Sequence, residues 1–404
     1  MKNILFATFL LSWSICVFAQ SVEINKNSIR NKLNTNDYNG ARDELEIAMK
    51  RFPGDSGLVY FQAHVLLRFK DTVGALAKFD QVLNLNPLHI KALFARAHVL
   101  RLLGKQKEAI ADMDKAIAID PRDSAAYHNR AIYKHDLLQY KEAIADYSAA
   151  IALENNNCLY LANRSAALFD YSDYPAALVD IDKAIQLCPS VATNYAKRGN
   201  INRMMGRKKA AIADFNKAVE TDSTDASIYD SRAFALNSYG RHTEAIADYN
   251  TAIRLDSTDS DFFFERATAK FDAGDFAGAV DDMNVVAKAE PGYANNYYNR
   301  ALAKYKLEDY KGVIEDFTIA KQLDQSFNAF SLLGVAKYKT GDFKGAIADL
   351  DIALFVYKPD ALSLYYRGLA KSASGDTTGA CYDLEKAADK GNADARKEWK
   401  MICK

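Results

Sequence analysis

The sequence predicts an all-α protein, a solenoid of stacked antiparallel helix hairpins. Three observations carry this. One phrase recurs: EAIADMDKAI at 108–117, EAIADYSAAI at 142–151 and EAIADYNTAI at 244–253, with looser copies KAAIADFNKAV at 209–219 and KGAIADLDIAL at 344–354. An arginine returns every 34 residues at Arg96, Arg130, Arg164, Arg198, Arg232, Arg266 and Arg300, and an aspartate keeps step at Asp112, Asp146, Asp180, Asp214, Asp248, Asp282 and Asp316. Only 7 Pro and 19 Gly in 404 residues leave little room for linkers. Self-similarity at a fixed period of this length marks stacked supersecondary units. One residue is lost after Asp316, and the series resumes with Leu333 in the arginine slot, then Arg367, and with Asp349 and Asp383.

The elements follow in chain order. Residues 1–19 read as a secretory signal peptide: Lys2, then the apolar ILFATFLLSWSICVF at 4–18, then Ala19 at the cleavage position. The apolar run is short for a membrane span. Cys16 invites a lipoprotein reading, but bulky Ile15 precedes it where such signals place a small residue. The expectation is an exported chain, periplasmic or secreted, with no transmembrane span once matured. Residues 20–391 form the repeat array. In 124–157, Tyr127, Ala131 and Lys134 lie one helical turn apart on a first helix, and Ala143, Tyr147, Ala150 and Ile151 make an apolar stripe on a second. Gly104, Gly206, Gly240, Gly274, Gly341 and Gly375 mark the inner turns, and Pro121 and Pro189 close second helices. Residues 392–404 read as a closing amphipathic helix covering the last apolar face.

The period and its residues resemble those of the tetratricopeptide repeat (TPR) proteins. A small residue stands at position 8 of each unit (Ala97, Ala131, Ser165, Gly199, Ala233, Ala267, Ala301). Alanine stands at 20 (Ala109, Ala143, Ala177, Ala211, Ala245, Ala279, Ala346, Ala380), with Val313 the exception, and a large residue at 24 (Met113, Tyr147, Ile181, Phe215, Tyr249, Met283, Phe317). The match covers about eleven units over roughly 22–394. It is weakest in the first two, where Ser28 and Gln62 replace the arginine and Glu44 and Lys78 the aspartate. The resemblance implies a right-handed superhelix. The recurring Arg and Asp then read as an ion pair within each unit that sets packing register, because Arg96 pairing backwards would meet Lys78.

In the repeat frame, four cysteines fall at helix ends that antiparallel pairing brings together. Two disulfides are expected, Cys158–Cys188 and Cys381–Cys403, with four free thiols as the alternative.

The resemblance also implies that positions 2, 5, 9, 12 and 13 line a concave groove. Its C-terminal half then carries Phe234, Phe264, Phe271, Tyr298, Tyr305, Tyr338 and Tyr365, an aromatic row suited to a peptide or partner helix. Burial of several rings between units is the competing reading. The N-terminal half carries His64, Phe94, His98, Arg101, His128, His135 and Arg203, a weakly basic, pH-sensitive surface. Four histidines spread over three units without a cysteine make a poor zinc site, and no metal or cofactor is expected. A dicarboxylate clamp for cytosolic chaperone tails is not assembled: Asn129, Asn163 and Asn299 occur without the lysines that must accompany them.

With Lys plus Arg at 52 and Asp plus Glu at 52, nothing points to nucleic acid. No HExxH, GxSxG, P-loop or dinucleotide fingerprint occurs, so no enzyme is read. The expected role is a protein–protein scaffold or adaptor in an envelope or secreted compartment. The alternatives are capture of an extended peptide or polymer fragment, and a metal- or pH-responsive sensor using the histidines.

Overall fold

The computed structural model describes residues 22–324, 326, 329–356 and 359–403. The expected leader at 1–19, Cys16 included, lies outside them. Among the described residues there are 23 helices and no strand. The chain forms two compact units, Met1–Met205 and Gly206–Lys404. The first unit holds α1 (22–34), α2 (Tyr38–Arg51), α3 (Ser56–Arg68), α4 (Thr72–Leu85), α5 (Ile90–Leu102) and α6 (Gln106–Ile119). It continues with α7 (Ser124–Asp136), α8 (Tyr140–Leu153), α9 (Cys158–Asp170), α10 (Tyr174–Leu187) and α11 (Ala192–Met204). The second unit holds α12 (Lys208–Thr221), α13 (Ala226–Ser238), α14 (His242–Leu255), α15 (Ser260–Asp272), α16 (Phe276–Ala289) and α17 (Ala294–Lys306). Then come α18 (Tyr310–Leu323), α19 (Phe330–Lys339), α20 (Phe343–Val356), α21 (Ala361–Ala373), α22 (Thr377–Asp389) and α23 (Ala393–Ile402). Within each unit consecutive helices pack as hairpins, and each hairpin packs on the next. The architecture is an α-solenoid.

Local chemistry starts and stops these helices. An aspartate caps many of them. Asp123 and Asp225 open first helices, while Asp275 and Asp309 open second helices by accepting from the amides of Gly278 and Gly312. Each cap satisfies an amide that otherwise has no partner. The inner turn needs a left-handed residue. Gly274 supplies it at φ 84°, but Leu138 and Glu308 occupy the same slot at φ 60°. A side chain there costs about 1–2 kcal/mol.

Small residues let the helices meet. Ala131 and Ala143 face each other across one hairpin with Tyr147 beneath them, and Ala301, Val313 and Phe317 repeat the arrangement. At Gly334 an added Cβ would stand 2.5 Å from Leu350 Cγ, so this slot takes nothing larger without a shift in the core.

The polar ladder is richer than a pair within each unit. Arg130 places Nε and Nη2 on the two oxygens of Asp146, at 2.8 and 2.7 Å, and the same fork joins Arg96 to Asp112, Arg266 to Asp282 and Arg367 to Asp383. The expectation that the arginine does not pair backwards is corrected. Its remaining nitrogen reaches the preceding second helix, two residues past the slot of Lys78: Arg96 to Asp80 at 2.7 Å, Arg130 to Asp114 at 2.6 Å, Arg266 to Asn250 at 2.6 Å. One guanidinium therefore ties its own hairpin and staples it to the previous one, a use that its planar five-donor fork permits.

A lysine one turn on joins in several units, as Lys134 does to Asp146 at 2.7 Å. That explains Leu333. Lys337 Nζ stands 2.7 Å from Asp349, an ion pair without well-angled hydrogen bonding, so the aspartate keeps a cation. At the start of the array Ser28 donates to Glu44 at 2.9 Å with Lys32 at 2.8 Å, a weaker version of the same junction.

Two disulfides are present. Cys158 at the start of α9 is bonded to Cys188 at the end of α10, with Cα atoms 6.2 Å apart. Cys381 in α22 is bonded to Cys403 beyond α23, with Cα atoms 5.7 Å apart. The second bond holds α23 on α22, where Ala395, Trp399 and Ile402 cover Leu384 and Ala387. No helix among the described residues is long and apolar enough to cross a membrane.

Candidate functional site

The first helices of the second unit carry the aromatic row, and its rings are embedded to different depths. Phe234 on α13 is 43% exposed. The other six are half-buried and each rests against another ring. Phe264 lies 5.2 Å from Tyr293, Phe271 5.2 Å from Phe276, and Tyr305 6.0 Å from Tyr310. Tyr338 touches Phe343 and Tyr366, Tyr365 touches Tyr366, and Tyr298 leans on the core ring of Phe317 at 5.4 Å. The row is thus a set of supported rings. Each helps close a hairpin and shows part of its surface. Such rings are pre-set for binding, because little rotamer freedom is left to lose on contact.

The histidine half is less uniform than the sequence implies. His128 is buried, 7% exposed, stacked on Tyr160 at 4.5 Å and 2.9 Å from the Asn163 amide. Burial pushes its imidazole down to about 4, so it stays neutral where a free imidazole titrates. His64 packs against Tyr60 and Phe79, and burial, then Arg68, lowers it too. His135 sits 2.8 Å from Asp170, and Arg101 pairs with Asp136. His98 is exposed, and Arg203 is half-buried on α11. The histidine half is thus partly packed away: His64 and His128 lie against aromatic rings, and Arg101 and His135 each face a carboxylate. Among the described residues no three His, Cys, Asp or Glu side chains gather as metal ligands. An apolar hollow of about 470 Å³, lined by Leu45, Met49, Val65, Leu66 and Phe69, touches none of the candidate residues.

Sequence reasoning missed how consecutive first helices meet. Arg101–Asp136, His135–Asp170 and Asn237–Asp272 join position 12 of one unit to position 13 of the next, and His128–Asn163 joins 5 to 6. The signal was available as polar partners one residue beyond a full period. It also missed two carboxylates in the second unit. Asp230 on α13 is pushed up to about 6, first by burial and then by Asp259 and Asp261. Glu265 on α15 is raised by burial, then by Asp230 and Asp261. Among the described residues no cation pairs with either carboxylate.

Tetratricopeptide repeat family models match residues 90–123, 192–225, 239–294 and 331–395. No curated protein matches the chain. Among solved structures, a tetratricopeptide repeat protein from Parabacteroides merdae ATCC 43184 is 18% identical, with 61% of this chain and 99% of that one covered and a TM-score of 0.43. Pseudomonas aeruginosa pilF is 19% identical over 50% of this chain and 92% of that one, with a TM-score of 0.44. Yeast Tom70 is 16% identical over 94% and 93%, with a TM-score of 0.38.

Proposed function

The chain is a tetratricopeptide repeat protein, and on that premise we propose that it is a non-enzymatic scaffold that binds an extended segment of a partner protein. The partner lies on the first-helix face of the second unit. The observation that carries this is the supported aromatic row from Phe234 to Tyr365. Repeats supply the frame, and the side chains of that face choose the ligand. We place the protein in an exported, oxidising compartment. The leader-like residues 1–19 and the two disulfides support that reading.

Phe234→Ala combined with Phe264→Ala tests the face. These are the most open ring of the row and one that leans on Tyr293, whereas Tyr298 rests on the core ring of Phe317 and is left in place. Unaltered chain and variant serve as paired baits in an envelope extract. Partner recovery should fall at least tenfold on the variant with helicity by circular dichroism unchanged, since truncating an interface ring costs about 1–2 kcal/mol or more. Equal recovery by both baits would refute the face.

A further inference from the structure

We infer that Asp230, Glu265 and Tyr249 form a site for the side chain of a lysine or arginine presented by the partner. The inference rests on the first-helix face of the second unit being the binding face.

The repeat itself supplies the geometry. Each of these residues stands three periods beyond one whose contacts are explicit in the first unit: His128, Asn163 and Tyr147. There, His128 on α7 reaches the Asn163 amide on α9 at 2.9 Å, and its ring lies 5.6 Å from Tyr147 on α8. Side chains in these three slots therefore converge. In the first unit His128 and Asn163 satisfy each other as neutral groups, with Tyr147 packed against the imidazole. In the second unit the same slots, on α13, α15 and α14, hold two carboxylates and a phenol. Helices α13 and α15 both pack on α14 and touch each other.

The second-unit slot is unsatisfied. Tyr249 is 0% exposed, and its hydroxyl has no hydrogen-bond partner among the described residues. Its electrostatic neighbours are Glu265 and Asp230, and then Asp248. Asp248 is already held by both forks of Arg232. That leaves Asp230 and Glu265 as half-buried acids without a cation, beside a buried hydroxyl that donates to nothing.

An ammonium or guanidinium completes the set. It donates to both carboxylates in charge-assisted bonds, while the Tyr249 phenol, 0% exposed, forms the buried floor of the site. Phe234 lies one turn beyond Asp230, and Phe264 precedes Glu265. Rings in those places suit the apolar stem and the cation face of a lysine or arginine. A divalent metal ion fits less well, because no third ligand gathers there among the described residues.

The test uses two libraries of seven-residue peptides, identical except for a central lysine or norleucine, with three randomised residues on each side. The unaltered chain should retain the lysine library at least tenfold better. That preference should vanish in the Asp230→Asn, Glu265→Gln variant, whose melting temperature should be no lower because unpaired carboxylates become amides. Equal retention of both libraries, still lost on Phe234→Ala with Phe264→Ala, would overturn the cation site and leave the aromatic face standing. Retention of neither library would overturn both. The lysine–norleucine comparison is made on the unaltered chain, so it holds whatever the stability of the variant.

Discussion

Replacing Asp383 by alanine is expected to destabilise the second unit by about 3–5 kcal/mol, the range for removing one partner from a buried ionic network. Asp383 is 0% exposed. Its oxygens take two bonds from Arg367, at 2.8 and 2.6 Å, and one from Lys371 at 2.8 Å. Removing it leaves the Lys371 ammonium without its carboxylate and Arg367 with Asp351 alone. Asp351 is the control. It also binds Arg367, at 2.7 Å, but its side chain is 54% exposed. Asp351→Ala should cost about 0–1 kcal/mol, as exposed pairs do. Urea unfolding of both variants decides the matter, and hydrogen exchange should place the loss in α21 and α22, because repeat stability is local. Equal, small losses from both variants would mean that the ladder sets register without contributing stability.

Removing the Cys158–Cys188 bond through paired serine substitutions should cost about 3 kcal/mol. The bond closes a loop with a sequence separation of 30, and the entropy lost by the unfolded chain for loops near this length is of that order. The effect should fall on α9 and α10, the hairpin that it closes. A reductant should produce that drop at α9 and α10 in the unaltered chain and none there in the variant, while in both it also releases the Cys381–Cys403 bond at α22 and α23. Identical denaturation of the unaltered chain with and without reductant would show free thiols in solution and would weaken the case for an exported chain.

Periodicity made most of the architecture readable in advance. A residue that recurs every 34 positions meets the same neighbours each time, so Ala131, Ala143 and Tyr147 could be assigned to packing from spacing alone. The misreadings arose where one contact depends on two units at once. Arg96 pairing backwards meets Lys78 by position alone, yet its remaining nitrogen reaches Asp80, two residues further along the same helix. Leu333 stands in the arginine slot, and the cation that serves Asp349 comes one turn later, at Lys337. His128 looked like groove chemistry because the ring that covers it, Tyr160, belongs to the next unit. Asp230 and Glu265 went unnoticed for the same reason. Each alone is an ordinary helix acid, and only the meeting of consecutive first helices makes them a pair.

The aromatic row was legible as a pattern but not as a surface. Seven rings at groove positions say nothing of how much of each ring remains open. That depends on Tyr293, Phe276, Tyr310 and Phe343, which stand outside those positions. Among the described large apolar side chains the most open lies elsewhere: Phe355 on the second helix α20 is 91% exposed.

Phe355 supplies the contrast for the most direct measurement. A photoreactive phenylalanine is placed at Phe234 in one preparation and at Phe355 in another, and each is irradiated in an envelope extract. Partner binding on the first-helix face predicts a discrete crosslinked species from position 234 and none from position 355. A crosslink from 355 with nothing from 234 would place the partner on the second helices and contradict the proposed binding face.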